Sequence, residues 1–132
     1  MLHDLTELIP NITVSGVDVS DYAIAHAMDG IKSKVQVADA RDLPFADNSF
    51  DVVISINTIH NLDRDECAQA LREIERVSRK RSFITVDAYR NDDEKERMFA
   101  WNLTAKTIMS VEEWVSFFKE VGYTGDYFWF VP

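Results

Sequence analysis

Short apolar runs alternate with amphipathic helical patterns along most of the chain. Strand-length apolar runs occupy residues 12–19, 34–38, 50–56, 81–87 and 127–131. Helical patterns occupy residues 1–9, 21–28, 63–78, 91–103 and 111–121. This alternation predicts an α/β fold with a mainly parallel sheet and flanking helices. The run at 50–56 is almost continuously apolar, which predicts a strand at the centre of the sheet with both faces covered.

Capping residues mark where several of these helices begin and end. Asp63 with Glu66, and Ser110 with Glu113, have the spacing of a capping box, in which each side chain binds the other residue's backbone N–H. Gly122 follows the last helical pattern, where a left-handed residue commonly closes a helix. This spacing therefore predicts helices that begin at 63 and 111.

Size and charge restrict the classes of protein to consider. With 132 residues, of which 46% are hydrophobic, the chain can bury one core, so residues 1–132 are predicted to form a single domain. The formal net charge of -9 argues against a protein that grips phosphate backbones, so no nucleic-acid partner is expected.

Cysteine content and hydropathy indicate where the protein works. Cys67 is the single cysteine, so it forms no internal disulfide, and we expect it to be an inert residue on a helix. Neither a leader peptide nor a run of about 18 apolar residues is present, which predicts a cytoplasmic protein with no membrane contact. No His, Cys and carboxylate group has metal-ligand spacing, so no metal is expected.

Two acidic residues follow neighbouring predicted strands. Asp18 ends the run Ile-Thr-Val-Ser-Gly-Val-Asp at 12–18, and Asp39 follows Val-Gln-Val-Ala at 35–38. In a parallel sheet, ligands bind at the carboxyl ends of the strands, where the topology switches direction. A carboxylate there can accept both hydroxyls of a ribose. The alternative for Asp18 is a solvated residue that caps the helix after Val19.

These residues carry a family resemblance. With Leu43-Pro-Phe45 and Asn48-Ser-Phe-Asp51, they resemble the nucleoside-binding half of class I S-adenosylmethionine-dependent methyltransferases. The resemblance covers most of the chain and implies a Rossmann-like methyltransferase fold with S-adenosylmethionine as cofactor. It also implies an adenine contact in which the Asp39 carboxylate accepts the exocyclic amine and the Ala40 N–H reaches a ring nitrogen. The implied cofactor-binding residues are Asp18, Val19, Asp39, Ala40 and Asn57.

The segment Ile-Asn-Thr-Ile-His-Asn-Leu at 56–62 lies where this family lines its methyl-transfer centre. His60 is the catalytic candidate, as proton acceptor for an O–H or N–H of the methyl acceptor. The alternative is that His60 hydrogen-bonds a loop carbonyl. Asn57 is expected to hydrogen-bond on the cofactor side.

The last third, from Val86 onward, is similar to a subgroup of small bacterial methyltransferases. Asp87 and Arg90 follow a strand and are expected on the substrate side, where Arg90 could receive an anionic group. The alternative for Arg90 is a surface ion pair with Asp92, Asp93 or Glu94. Most aromatic residues of this region are expected in the core: Trp101, Trp114, Phe117, Phe118, Phe128 and Trp129.

One part of the family pattern is absent from the sequence. The family has a first strand between its second and fourth, followed by a glycine-rich turn, and Gly16, Gly30, Gly122 and Gly125 do not supply that motif. The expectation is therefore a methyltransferase domain truncated at its N-terminus, the product of a longer gene. The gap would leave sheet edges exposed and favour a homodimer.

Two functions follow from this interpretation. The first is transfer of a methyl group from S-adenosylmethionine to a small-molecule acceptor. The second is a non-catalytic, methyltransferase-like domain that serves as a binding or oligomerising scaffold. A nicotinamide-dependent oxidoreductase ranks third, since it would need a dinucleotide fingerprint that the sequence lacks.

Overall fold

The computed structural model describes residues 1–131, apart from the side chain of Lys80. Its internal contacts divide the chain into an N-terminal unit, Met1–Pro44, and a C-terminal unit that begins at Phe45. The N-terminal unit contains α1 (Leu2–Leu8), β1 (Gly16–Asp18), α2 (Asp21–Ala25), a 3-10 turn (Lys32–Lys34) and β2 (Val35–Val37). Its two strands pair in parallel, with Asp18 opposite Val37. The single-domain expectation stays a prediction.

The C-terminal unit is built on a four-stranded parallel sheet. Its elements are β3 (Phe50–Ile56), a 3-10 helix (Ile59–Asn61), α3 (Arg64–Val77), β4 (Ser78–Tyr89), α4 (Asp92–Trp101), β5 (Met109–Ser110), α5 (Val111–Val121) and β6 (Asp126–Phe130). Strand β4 pairs in parallel with β3, with β6 and, at its end, with β5. The predicted α/β class with a mainly parallel sheet is confirmed.

The predicted caps set the helix boundaries. Both capping boxes form: the Asp63 N–H donates to Glu66, and Ser110 and Glu113 bind each other's backbone N–H. Gly122 ends α5 with a φ of 84°, a left-handed conformation that glycine adopts without a steric penalty. These local signals correctly located α3 and α5.

The core of the C-terminal unit lies between α3, α5 and β4. Trp114, Phe117 and Phe118 are buried, as predicted, and Trp114 is fully so. The Trp114 indole N–H donates to the backbone carbonyl of Asp87 at 2.9 Å, which ties the helix to the end of β4. Buried Trp N–H groups usually need such a partner. The same bond helps to fix Asp87.

Two of the aromatic residues predicted to be core are exposed. Trp101 is 52% exposed and Phe128 is 61% exposed, while Trp129 is half-buried. Trp101 is the last residue of α4, and its ring packs against Phe130 with centroids 5.2 Å apart. Phe128 lies on β6, which pairs along one edge only, with β4, among residues 1–131. Both rings therefore lie at the surface, and the Trp101 ring is covered in part by Phe130.

The prediction that residues 50–56 form the central strand is wrong. Within the part of the chain that the structure describes, β3 pairs with β4 alone, so β4 is the central strand and β3 is an edge. The alternate residues Val52, Ile54 and Ile56 are 54%, 40% and 40% exposed. The apolar run therefore has one uncovered face, although such runs are typical of strands buried on both faces.

Several boundaries also differ from prediction. The strand predicted at 12–19 is only Gly16–Asp18, and the helix predicted at 21–28 ends at Ala25. The strand predicted at 81–87 extends over Ser78–Tyr89, because β4 has neighbours on both sides. The helix predicted at 91–103 ends at Trp101, since the side chain of Asn102 accepts the next backbone N–H groups. Among residues 1–131, no helix has both the length and the apolarity to cross a bilayer.

Candidate functional site

Asp18 lies at the carboxyl end of β1, exposed to solvent. Its Oδ1 accepts the Ser20 N–H at 2.8 Å, and Ser20 Oγ in turn accepts the Ala23 N–H and caps α2. Asp18 is therefore solvated and bound to the residue that caps α2, which is close to the alternative considered from the sequence. Within the described chain Oδ2 accepts no hydrogen bond, so one oxygen remains open to solvent. Val19, the next residue, is 75% exposed.

Asp39 follows the carboxyl end of β2, next to the carboxyl end of β1 where Asp18 lies. The register pairs Asp18 with Val37, and the Ala38 N–H donates to the Asp18 carbonyl at 3.0 Å, so Asp39 follows directly beyond that end. Ala40 is half-buried next to it. The parallel pairing thus places four of the five residues predicted to bind the cofactor at the carboxyl ends of β1 and β2, whereas Asn57 belongs to the C-terminal unit.

The Asp39 carboxylate is already engaged by Arg41. Arg41 Nη2 lies 2.6 Å from Oδ2, its Nε lies 3.0 Å from both oxygens, and its backbone N–H donates to Oδ1 at 2.8 Å. The Arg41 guanidinium holds the pKa of the Asp39 carboxyl below its usual value. Sequence reasoning missed this pair, although both residues lie in the run that carries the family resemblance.

His60 and Asp87 form a buried pair in the C-terminal unit. His60 lies on the 3-10 helix after β3, and Asp87 lies near the end of β4. His60 Nδ1 accepts the Asp87 backbone N–H at 3.2 Å, and Nε2 lies 3.5 Å from Asp87 Oδ2. Because the Nδ1 lone pair takes the amide proton, the neutral ring carries its own proton on Nε2, facing the carboxylate.

Burial determines the ionisation of this pair. The side chains of His60 and Asp87 are 5% and 4% exposed. Burial lowers the pKa of His60, and the charge of Asp87 offsets this in part. Burial also raises the pKa of Asp87, with a partial offset from His60. The pair therefore consists of a neutral imidazole and a carboxylate that takes up a proton more readily than an ordinary Asp.

The His60 ring does not bind a loop carbonyl, which was the alternative considered from the sequence. Its ring contacts in the described chain are the N–H and the carboxylate of Asp87. The backbone carbonyl of His60 instead accepts the N–H groups of Lys106 and Thr107 at 2.9 and 3.0 Å. The ring is thereby directed at Asp87. Its role as a catalytic proton acceptor stays a prediction.

The pair lines a cavity of about 200 Å³ within the C-terminal unit. His60 and Asp87 are its buried members, whereas Trp101 and Leu103 are 52% and 93% exposed at its rim. The lining residues are Asn57, His60, Asp87, Trp101, Asn102, Leu103 and Thr104. Sequence reasoning placed Asp87 on the substrate side but did not pair it with His60, and it assigned Trp101 to the core.

Asn57 enters this cavity from a strained position. It has a φ of 51°, in the left-handed region, which costs a non-glycine residue free energy and is tolerated best by Asn and Asp. Its N–H donates to Thr85 Oγ1 at 2.9 Å, and Thr85 Oγ1 donates to Asn57 Oδ1 at 2.8 Å. The contact fixes the Asn57 side chain beside His60. The hydrogen bond from Asn57 to the cofactor stays a prediction.

Arg90 forms an ion pair with a neighbouring acidic residue, which was the alternative to a substrate-binding role. Its Nη2 lies 2.8 Å from Glu94 Oε1, and its backbone N–H donates to Glu94 Oε2 at 2.7 Å. The arginine side chain is 62% exposed and is not among the residues that line the cavity. The predicted surface ion pair is confirmed with Glu94 as the partner.

Cys67 is a buried thiol on α3. Its Sγ lies 3.0 Å from the Ile59 carbonyl, and burial raises the pKa of the thiol to about 11. A thiol with this pKa is almost wholly protonated at neutral pH and is a poor nucleophile. The geometry fits the expected inert role.

Comparison with known proteins places these features in a family. A family model described as a methyltransferase domain matches residues 2–86. The methyltransferase GfsG of Streptomyces halstedii is 40% identical over 75 residues, which cover 51% of this chain. The chain spans 26% of that relative's length.

Two solved structures resemble the chain in fold. The PH0226 protein of Pyrococcus horikoshii OT3 is 24% identical, with a TM-score of 0.63 over 83% of this chain and 62% of its own. An S-adenosylmethionine-dependent methyltransferase of Thermotoga maritima is 23% identical, with a TM-score of 0.52 over 92% of this chain and 68% of its own. These matches confirm the predicted Rossmann-like methyltransferase fold.

Proposed function

The chain belongs to the methyltransferase domain family, and we propose that it acts in the transfer of a methyl group from S-adenosylmethionine to a small-molecule acceptor. The observation that carries the proposal is that Asp18 and Asp39 lie together at the carboxyl ends of the paired strands β1 and β2. In parallel sheets, ligands such as nucleotides bind at the carboxyl ends of the strands.

The residues at this edge suit a nucleoside chemically. Asp18 Oδ2 is open to solvent and can accept ribose hydroxyls, while Oδ1 stays bound to the Ser20 N–H. The Asp39 carboxylate and Ala40 N–H supply an acceptor and a donor for adenine. The exposed side chain of Val19 offers an apolar contact for the base, and Asn57 is assigned to the cofactor side. When bound, the cofactor supplies a methyl group already activated on a sulfonium sulfur.

The cavity of the C-terminal unit supports a small acceptor. Its volume of about 200 Å³ is below the range of about 300 to 1,000 Å³ that is usual for drug-sized ligands. The net charge of -9 also disfavours nucleic acid as the substrate. His60 and Asp87 serve as a unit that receives the acceptor's proton: the carboxylate oxygen of Asp87 takes the proton, and the His60 ring lies beside it, with Nε2 3.5 Å from Oδ2.

Calorimetric titration with S-adenosylhomocysteine tests the nucleoside site. Asp18→Asn keeps an oxygen for the Ser20 N–H but loses one carboxylate oxygen and the charge, so it separates ribose binding from the capping role. We expect Asp18→Asn to weaken binding more than tenfold, or above about 1.4 kcal/mol. Asp21→Asn removes the same charge from the first turn of α2 and is the matched control. Equal effects of the two variants would contradict the assignment of Asp18.

A second candidate function, self-association as a scaffold, is favoured by the free edge of β3. Unpaired strand edges readily pair with another chain, and this edge is flanked by the exposed side chains of Val52, Ile54 and Ile56. Sedimentation velocity should show a dimer that Ile54→Lys dissociates. Leu8→Lys, at a 77% exposed position of the N-terminal unit, is the control. A monomer at all concentrations would exclude the scaffold function. A folded chain that dimerises but binds no S-adenosylhomocysteine would favour the scaffold function over methyl transfer.

A further inference from the structure

The cavity of the C-terminal unit contains a buried carboxylate with few partners. Asp87 is 3% exposed, and its Oδ2 lies 3.5 Å from His60 Nε2. That separation exceeds the range of about 2.7 to 3.2 Å for a good N–H···O hydrogen bond. Among residues 1–131, every fully buried side-chain nitrogen or oxygen has a hydrogen-bond partner. Since the Asp87 carboxylate accepts none in the described chain, its oxygens must be reached from the cavity.

Among the side chains that the structure describes, no lysine or arginine neutralises the charge of this carboxylate. The cavity lining includes neither lysine nor arginine. Arg90, which follows on the chain, pairs with Glu94 instead. His60 is the one titratable group that faces Asp87 in the described chain, and burial favours the neutral form of its ring. A desolvated carboxylate in these surroundings gains most from a ligand that brings both N–H donors and positive charge.

The rim of the cavity supplies a surface that suits such a ligand. Trp101 is half-exposed at the end of α4, and its ring is held in place by Phe130. The negative face of an indole attracts a cation, and it also stacks on planar apolar groups. Leu103, at 93% exposed, adds apolar surface beside it. An alcohol has one O–H donor and no charge, so it should bind to the Asp87 carboxylate and the Trp101 ring more weakly than an ammonium group does.

We propose that this cavity binds a small ammonium group on a planar apolar body, with Asp87 as its counter-ion and Trp101 as its aromatic wall. The amine would be the methyl acceptor once the Asp87 carboxylate has taken one N–H proton and so freed the nitrogen lone pair. This role rests on the proposed function, whereas the binding site itself does not. Anionic ligands are excluded by the charge of Asp87.

Binding of three probes that share a phenyl ring and are similar in size tests the proposal. The ¹⁵N-labelled 132-residue chain is titrated without cofactor with 2-phenylethylammonium, 2-phenylethanol and phenylacetate, and NMR follows the amide signals. We expect the amine to shift the amide signals of Asp87 and of residues 102–104, with at least tenfold higher affinity than the alcohol, and phenylacetate to produce no shifts. Affinity for the amine should fall on acidification as Asp87 becomes protonated.

Two variants and a control test whether Asp87 and Trp101 cause the preference for the amine over the alcohol. Asp87→Asn should abolish the difference between amine and alcohol, and Trp101→Leu, at an exposed position that leaves the core intact, should weaken amine binding by about two- to fivefold. Asp93→Asn, an exposed loss of the same charge, should change nothing.

Three results would overturn the proposal: no saturable shift with the amine at millimolar concentration, an affinity for the alcohol that equals that for the amine, or shifts confined to residues away from the cavity. An unchanged affinity of Trp101→Leu for the amine would remove the aromatic wall from the assignment, whatever the result with Asp87→Asn. The site and the proposed function can fail separately. Amine binding by a chain that does not bind S-adenosylhomocysteine would preserve the site and refute the acceptor role.

Discussion

Replacement of Arg41 by Gln tests whether this residue restrains Asp39 from adenine. In the structure both carboxylate oxygens of Asp39 face the Arg41 guanidinium, with contacts of 2.6 to 3.0 Å. An adenine amine has to compete for those oxygens, so the ion pair must break or rearrange on binding. Arg41→Gln removes the guanidinium and retains the backbone N–H that donates to Asp39 Oδ1. The variant should therefore bind S-adenosylhomocysteine more tightly.

The exposure of the pair limits the size of the gain. The side chains of Arg41 and Asp39 are 38% and 36% exposed, and ion pairs of this kind contribute about 0 to 1 kcal/mol. Since about 1.4 kcal/mol corresponds to a factor of ten, the expected gain in affinity is about two- to fivefold. Asp39→Asn in the Arg41→Gln background should cost more, about 1.5 to 3 kcal/mol, because it removes a charged hydrogen-bond acceptor.

Isothermal titration calorimetry with S-adenosylhomocysteine measures both effects. Arg72→Gln, at an exposed position on α3, changes the net charge by the same amount and serves as the control. Weaker binding by Arg41→Gln would refute the reasoning, because it would mean that Arg41 itself contacts the ligand. A gain shared equally by Arg72→Gln would attribute the effect to net charge and not to Asp39.

Two further predictions concern buried groups of the C-terminal unit. Because the folded-state pKa of Asp87 is raised, its burial costs nothing below the ordinary value of about 3.8. The loss of stability grows as pH rises above that value and is complete above the raised pKa. Asp87→Asn should therefore raise the free energy of unfolding at neutral pH, with a gain that shrinks toward about pH 4 and is measured by urea denaturation. An equal gain at both pH values would show that the charge of Asp87 is not responsible. Cys67, with a pKa of about 11, should react with a disulfide reagent only at the rate of unfolding, and immediate labelling of the native chain would contradict its buried position.

The sequence predicted the elements that are defined by local signals and missed features that depend on distant pairing. The helix starts at Asp63 and Ser110 were predictable because a capping box requires only residues three positions apart. The edge position of β3 was not, because an apolar run does not reveal how many neighbours a strand has. The brief pairing of β5 with the end of β4 similarly involves only Met109 and Ser110, too short a segment to form a pattern.

The candidate site shows the same division. Asp18 and Asp39 were identified from the general rule on strand ends, and their shared edge follows from the parallel register of two neighbouring strands. His60 was identified too, but its pairing with Asp87 joins residues 27 positions apart in the sequence. That contact depends on the register of β3 against β4, in which Ile56 lies opposite Thr85. No local spacing encodes this register.

The carboxylates of the two units differ in their environments, and this should separate their pH responses. Asp39 keeps its charge to lower pH than an ordinary Asp because Arg41 stabilises the ionised form. Asp87 loses its charge at higher pH than an ordinary Asp because burial destabilises the ionised form. Acidification should therefore impair recognition of an ammonium group at Asp87 before it neutralises Asp39. In a methyltransferase with this arrangement, affinity for the acceptor should begin to fall at a pH at which the carboxylate assigned to adenine is still ionised.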